Sequence, residues 1–538
     1  MKKFKLEKYH YTLLLLVIIV NAIFSYTYPL NIAAYDNSNY LSMILENKSN
    51  LIHASGYPAM ISIIMTIFEV IPPTNVINID WLNIIQIINL VLHLLFFTGA
   101  FFLCSNIFGK RAAVIMSLIW GLNPIVLTGV NAAAPEWLQG DLIALSFLIA
   151  MQNFNRQSAM RKTLLYVISF SILFVAYLVK FNTLVIFPAL FLIILLESKN
   201  FIWKIKTLII CFLACWALFY LFVKIYHQPT TGTKQLNYDH AWVLMDAIPN
   251  DYFNVNIDQL GMSSLRWKAL RAVVPTDITM AGAYCCIDSG ASSEIRKPYL
   301  TSYAEIMNLS RSQLLEFIKT HPLSPNVSNF AMSVPLYWYV GLAPIDNLGI
   351  DVFKESAVQD PIFYIKKIVN GFTKWHLNNI NFITIPRSSN ALNLIMKERN
   401  DTIDNDFQYY TIPDKAIAQH FPYWNPVERL WLPGTKFFNI VFNYMSSRTC
   451  ELLLLMLAST GLMVTKSRKF TIMGVLSALG VIAFSAASFV LLGLRNKEAI
   501  SIIPLYSIFM GIGLTSIITR IWLMVHKKNP SEMHNGKN

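Results

Sequence analysis

Apolar residues run through this chain in continuous blocks, without the alternation that marks a β-barrel. Blocks approaching or exceeding the roughly 20 residues that cross a bilayer as a helix lie at about 12–31, 81–104, 112–129, 138–153, 163–179, 183–196, 207–225, 449–465, 470–492 and 500–523. The pattern predicts an all-α polytopic membrane protein with about ten transmembrane helices. A further apolar stretch at about 57–71 is short and is stopped by Pro72 and Pro73. Its length suits an interfacial or re-entrant helix better than a span.

Between about 228 and 447 the composition turns polar and no block is long enough to cross. This divides the chain into a transmembrane module (1–227), a large extracytoplasmic domain of mixed structure (228–447) and a C-terminal three-helix segment with its tail (448–538). Two stretches of the middle domain look helical and amphipathic, about 301–320 and about 361–377. The second pairs Lys366, Lys367 and Lys374 with Phe363, Ile365, Ile368 and Phe372. That suits a helix on the membrane surface and equally an ordinary domain helix.

Charge orients the spans. The chain is 55% hydrophobic and 14% charged, with a net charge of +13. The excess Lys and Arg flank the apolar blocks and contain no tract interleaved with aromatics in a soluble segment, so it reads as positive-inside topology and not as nucleic-acid binding. The basic start followed by a long apolar run reads as an uncleaved first helix. The turns around Lys110 and Arg111, around Arg161 and Lys162, and around Lys466, Arg468 and Lys469 then lie inside, as do both termini. The basic turn at Arg495 and Lys497 is the exception, because it falls outside. The cysteines show no metal-ligand spacing; Cys285 and Cys286 are adjacent in the polar domain, where a bond between neighbours would be strained.

This topology gathers the candidate chemistry on one membrane face. A polar loop over 32–57 holds Asp36, Tyr40, His53, Gly56 and Tyr57; Glu136, Lys180, Arg495 and Lys497 stand at other outward turns. Each charge alone is also what a snorkelling side chain would leave, but ionisable groups at membrane depth tend to be functional. A carboxylate can take the proton of an attacking hydroxyl, and cations can hold a phosphate as it leaves. Such a set suits transfer from a lipid-phosphate-linked group to a hydroxyl outside the membrane.

The same residues resemble the GT-C superfamily of membrane glycosyltransferases, of the protein mannosyltransferase or lipid A aminoarabinose transferase type. Asp36 with Tyr40 is similar to the acidic motif of the first outer loop, and His53, Gly56, Tyr57 and Pro58 to the segment opening a juxtamembrane helix. Phe108 to Arg111, Pro124, and Pro135 with Glu136 resemble the second and third helices and the second acidic motif. Lys180 resembles the basic residue that opens a later helix, and Arg495 followed by Pro504 the Arg–Pro element of the last helix. The resemblance covers about 10–230 well, 449–523 loosely and the large loop not at all.

It implies an inverting transfer of a sugar from a polyprenyl-phosphate donor to a glycan, lipid or protein acceptor. The site would lie on the periplasmic face of a bacterial inner membrane. Asp36 would be the base or acceptor-orienting carboxylate and Glu136 its support; Lys180 and Arg495, with Lys497 and His53, would hold the donor phosphate; Tyr40 and Tyr57 would line the substrate. Asn37 follows Asp36, so no acidic pair is present to make a metal site. Asp36 and Glu136 could share a Mg or Mn ion if they meet, but the sequence requires none. Two rivals remain: an O-antigen ligase or polymerase, which would keep its basic and His residues in the large loop, and a lipid-sugar flippase or transporter, which needs polar midplanes and broken helices.

Overall fold

The computed structural model describes residues 2–27, 40–41, 43–44, 54–68, 79–152, 158–197, 199–234, 236, 244–245, 247–249, 251–254, 257–274, 293–321, 329–377, 448–465, 468–491 and 496–526. Asp36, His53, Arg495, Cys285 and Cys286 lie outside this set, and of Lys497 only the backbone is described. The described residues are helical, with no strand among them.

The described residues of the first part form α1 (Lys2–Thr27), α2 (Gly56–Ile67), α3 (Ile79–Phe108), α4 (Lys110–Gly121), α5 (Pro124–Val130), α6 (Glu136–Met151), α7 (Ala159–Val179) and α8 (Phe187–Leu195). α9 (Phe201–Phe222) continues through a π-turn to Thr231. Among the described residues five segments are long and apolar enough to cross a membrane: Asn83–Phe108, Ala159–Val179, Phe201–Thr231, Phe470–Ala487 and Ile500–Met524. This is the make-up of a multi-pass membrane protein.

Two expected spans are broken, each at a proline. The block at 112–129 divides at Leu122 and Asn123 into α4 and α5, because Pro124 lacks an N–H and disfavours helical backbone in Asn123 before it. The block at 183–196 opens as a 3-10 turn, Phe181–Ile186, and becomes α-helical where Pro188 occupies the first turn of α8. The short stretch expected at 57–71 is α2, whose 12 residues reach only about 18 Å at 1.5 Å per residue. Between α3 and α4, Gly109 has φ +93, a conformation costly for any residue with a Cβ. The basic turn of Lys110 and Arg111 begins there.

α6 lies at the centre. It packs against α3, α7 and the last helix, and nearly its whole length is buried, from Glu136 and Trp137 to Ala150 and Met151. The C-terminal helices α16 (Arg448–Val464), α17 (Arg468–Leu491) and α18 (Asn496–His526) close this bundle, α18 fitting between α4 and α6. α9 sits at the edge on α7 and leaves Phe212, Leu213, Trp216 and Ile225 outward, as a helix facing lipid does.

A second core belongs to the polar middle of the chain. It is built by α10 (Met262–Val273), α11 (Ser293–Asn308), α12 (Arg311–Thr320), α13 (Asn329–Val340) and α14 (Leu342–Gln359) around Trp267, Leu270, Leu314, Tyr337 and Ile345. The mixed domain expected here is therefore helical wherever it is described. The stretch expected at 301–320 is two helices, since Ser310 and Gln313 form a reciprocal capping box that starts α12 afresh. α15 (Pro361–Leu377) matches the second amphipathic stretch and packs against α17.

Candidate active site

Glu136 opens α6 and Lys180 ends α7, so two neighbouring helices deliver a carboxylate and an ammonium to one end of the bundle. The two meet, Lys180 Nζ to Glu136 Oε1 at 2.5 Å, with side-chain exposures of 17% and 3%. The other oxygen, Glu136 Oε2, is buried and accepts no hydrogen bond from the described residues.

The backbone around the pair is pinned by side chains inside the helices. Gln139, one turn into α6, donates to Asn182 Oδ1 at 2.5 Å and to Thr183 Oγ1 at 2.6 Å. Thr183 Oγ1 in turn donates toward the Lys180 carbonyl at 2.8 Å. From the far end of the chain, Ser501 Oγ lies 2.7 Å from Gln139 Oε1 and 3.1 Å from the Glu136 carbonyl. Lys497 stands one helical turn before Ser501 on α18, which brings its backbone to the same end as the Glu136–Lys180 pair.

α2 supplies the aromatic wall. A Cβ on Gly56 would lie 2.4 Å from the backbone carbon of Leu178, so only glycine lets the start of α2 rest against the end of α7. That contact seats Tyr57, fully buried, with its ring edge-on to Trp137 at 6.4 Å and to Tyr40 at 6.0 Å. The Tyr57 hydroxyl donates to Asn89 Oδ1 at 3.2 Å, and Asn89 donates to the carbonyls of Val130 and Ala132 just ahead of Glu136. Burial, with Glu136 nearby adding to it, holds the Tyr57 phenol above its ordinary range, so it serves as a donor and not as a base. Tyr40 and Tyr57 thus line the interior beside the pair and present no open surface.

One polar pair lies deeper. His93 Nδ1 and Asp141 Oδ2 are 2.7 Å apart, and both side chains are wholly buried. His93 is one turn along α3 from Asn89 and meets Trp137 edge-on at 6.3 Å. The sequence carried a signal for this layer: Gln86, Asn89 and His93 recur at intervals of three and four in an otherwise apolar helix, as do Glu136 and Gln139. Asp141 and Ser501 were hidden because neither falls into such a recurrence within its apolar block.

Among the described residues no group of three or more His, Cys, Asp or Glu side chains stands ready for a metal ion. Glu136 Oε2 is an uncommitted oxygen of the kind a hard cation takes, but a magnesium site is octahedral and one carboxylate does not make it.

No protein-family model matches the chain, and no curated protein sequence matches it. A solved structure that it is similar to is the archaeal oligosaccharyltransferase AglB from Archaeoglobus fulgidus, in complex with an inhibitory peptide and a dolichol-phosphate. The identity is 11%, the TM-score 0.36, and the match covers 99% of this chain and 52% of that one. The chain thus spans about half the length of that protein. A likeness this remote says nothing of the reaction.

Proposed function

We propose that the protein is a GT-C-type membrane glycosyltransferase, moving a sugar from a polyprenyl-phosphate donor to a hydroxyl of an envelope acceptor with inversion. The observation that carries this reading is the Glu136–Lys180 pair: a cation and a carboxylate with one spare oxygen, buried together at one end of an apolar bundle. The motif resemblance, which adds Asp36 and Arg495 to Glu136 and Lys180, supports the same reading.

In this reading the acceptor oxygen bonds to the anomeric carbon as the bond from that carbon to the phosphate oxygen breaks. The hydroxyl proton passes to a carboxylate, Asp36, while Glu136 holds the acceptor. The bond electrons leave on the polyprenyl phosphate, whose charge Lys180 and Arg495, with Lys497 and His53, stabilise. Tyr40 and Tyr57 shape the wall behind the sugar. The site faces the periplasm from a bacterial inner membrane, with both chain ends in the cytoplasm. A bound Mg or Mn ion would add charge for the phosphate, and the steps above do not need it.

The test is transfer of label from a mixed pool of polyprenyl-phosphate sugars in membranes holding the wild-type chain, Asp36→Asn, Glu136→Gln or Lys180→Gln at equal amounts. Label should move with the wild type and fall at least about 100-fold with each variant, as for removal of one stabilising group. Transfer undiminished by all of the variants would remove this site from the reaction and favour the ligase alternative.

A further inference from the structure

We infer that the Lys180–Glu136 pair is a latch that the donor opens: an incoming lipid phosphate takes over the Lys180 ammonium, and only then is Glu136 available to the acceptor. The inference rests on the donor reading above and adds an order of events to it.

The asymmetry of the pair is the reason. Glu136 is the deeper partner, with its side chain 3% exposed and its Oε2 buried. Lys180 is the open partner, with 17% of its side chain exposed. Its backbone sits between α7 and the 3-10 turn in an extended conformation, φ −157 and ψ 121, outside either helix. Thr183 anchors its carbonyl at 2.8 Å, so the backbone stays in place when the side chain turns. An anion approaching this end therefore meets the ammonium first, and the ammonium can turn toward it without moving the carboxylate.

While the pair is closed, Lys180 occupies Oε1 and Oε2 is buried, so neither oxygen is presented to a hydroxyl. Once a phosphate has drawn Lys180 away, both carboxylate oxygens can be offered to the acceptor hydroxyl. The site is then acceptor-ready only when a donor is present, which gives an ordered, donor-first mechanism. The carboxylate and the phosphate compete for a single ammonium, and that competition can be measured without catalysis.

The experiment titrates the full-length, detergent-solubilised protein with farnesyl phosphate, using farnesol as the uncharged control. Glu136→Gln should bind farnesyl phosphate about tenfold tighter than wild type, within the usual range of coupling between sites. Lys180→Gln should bind it more weakly, and Glu136→Gln should bring no gain in the Lys180→Gln background. Unchanged or weaker binding by Glu136→Gln, with Lys180→Gln still weakened, would overturn the latch and leave the phosphate site standing. A gain that persists without Lys180 would also overturn it, since simple repulsion by Glu136 would then explain the effect. Wild-type protein that binds farnesyl phosphate no better than farnesol, indifferent to Lys180→Gln, would overturn the donor reading itself. Should Glu136→Gln not fold, Glu136→Asp shortens the reach to Lys180 and is expected to shift binding the same way.

Discussion

His93 on α3 and Asp141 on α6 face each other at 2.7 Å inside the bundle, and neither side chain reaches its surface. A pair removed from solvent costs a good deal to bury, and it is most harmful when half of it is lost. Asp141→Ala should therefore destabilise the protein by about 3–5 kcal/mol, the range for breaking a buried pair. His93→Leu combined with Asp141→Leu should recover most of that loss. Thermal unfolding in detergent of the single and double variants measures both; a double variant no better than the single would mean that the pair contributes more than its burial costs.

The closeness of α2 and α7 makes Gly56 a sharp probe of the site. Its missing Cβ leaves room for the Leu178 backbone, which cannot give way as a side-chain tip could. Gly56→Ala should cost about 1–3 kcal/mol, as overpacking does. It should push Tyr57 away from Asn89, and transfer should fall together with the melting temperature. A variant with wild-type melting behaviour and activity would show that the helices can part freely.

Ser501 and Ser516 lie on the same helix and make a controlled comparison. Ser516 bonds back to Ile512 within α18, whereas Ser501 reaches Gln139 and the Glu136 carbonyl on α6. Ser501→Ala should cost about 1–3 kcal/mol by leaving buried acceptors unpaired, and Ser516→Ala less than about 0.5 kcal/mol, as changes without tertiary partners do. Equal melting shifts for the two would show that the Ser501 bonds carry no stability between helices.

The second core has its own test. Glu355 accepts from the backbone N–H groups of Ser263 and Ser264, each at 2.9 Å, and from the Ser264 hydroxyl at 2.7 Å, satisfying the start of α10 from a distant helix. Glu355→Ala should cost about 1–2 kcal/mol, like loss of a helix cap. Glu355→Gln, which keeps an acceptor oxygen, should cost less. Limited proteolysis of the region around 257–360 measures this while the membrane helices stay intact; equal resistance of the two variants would contradict the capping role.

What could be read in advance divides by physical cause. Continuous apolar runs made the long helices legible, and charge at the turns put Glu136 and Lys180 on one end, where the structure joins them. The breaks before Pro124 and at Pro188 were legible too, but the apolar content of both stretches outweighed the proline signal. The middle domain was legible as helix only at about 301–320 and 361–377; the rest was not, because polar, proline-bearing sequence gives helices and strands similar surfaces until their shared core is known. Nor were the partners of Gln139 and Asp141. Composition says that an amide or carboxylate sits within an apolar helix, but only packing says which residue, here between 43 and 362 positions away, answers it.

The hydrogen bond from Ser501 to the Glu136 carbonyl joins residues 365 positions apart. At a synthesis rate of roughly 5–20 residues per second, α6 waits roughly 20–70 s in the cell before α18 has even been made. Through that interval Gln139 Oε1 and the flank of α6 that α18 covers lack their final neighbour, although Asn182 and Thr183 can already take the Gln139 amide N–H groups. The nascent protein therefore has to shelter the side of α6 that α18 will cover, in lipid or with an insertion chaperone, and a stalled chain ending before residue 496 has the Glu136–Lys180 pair laid out without the serine that braces it.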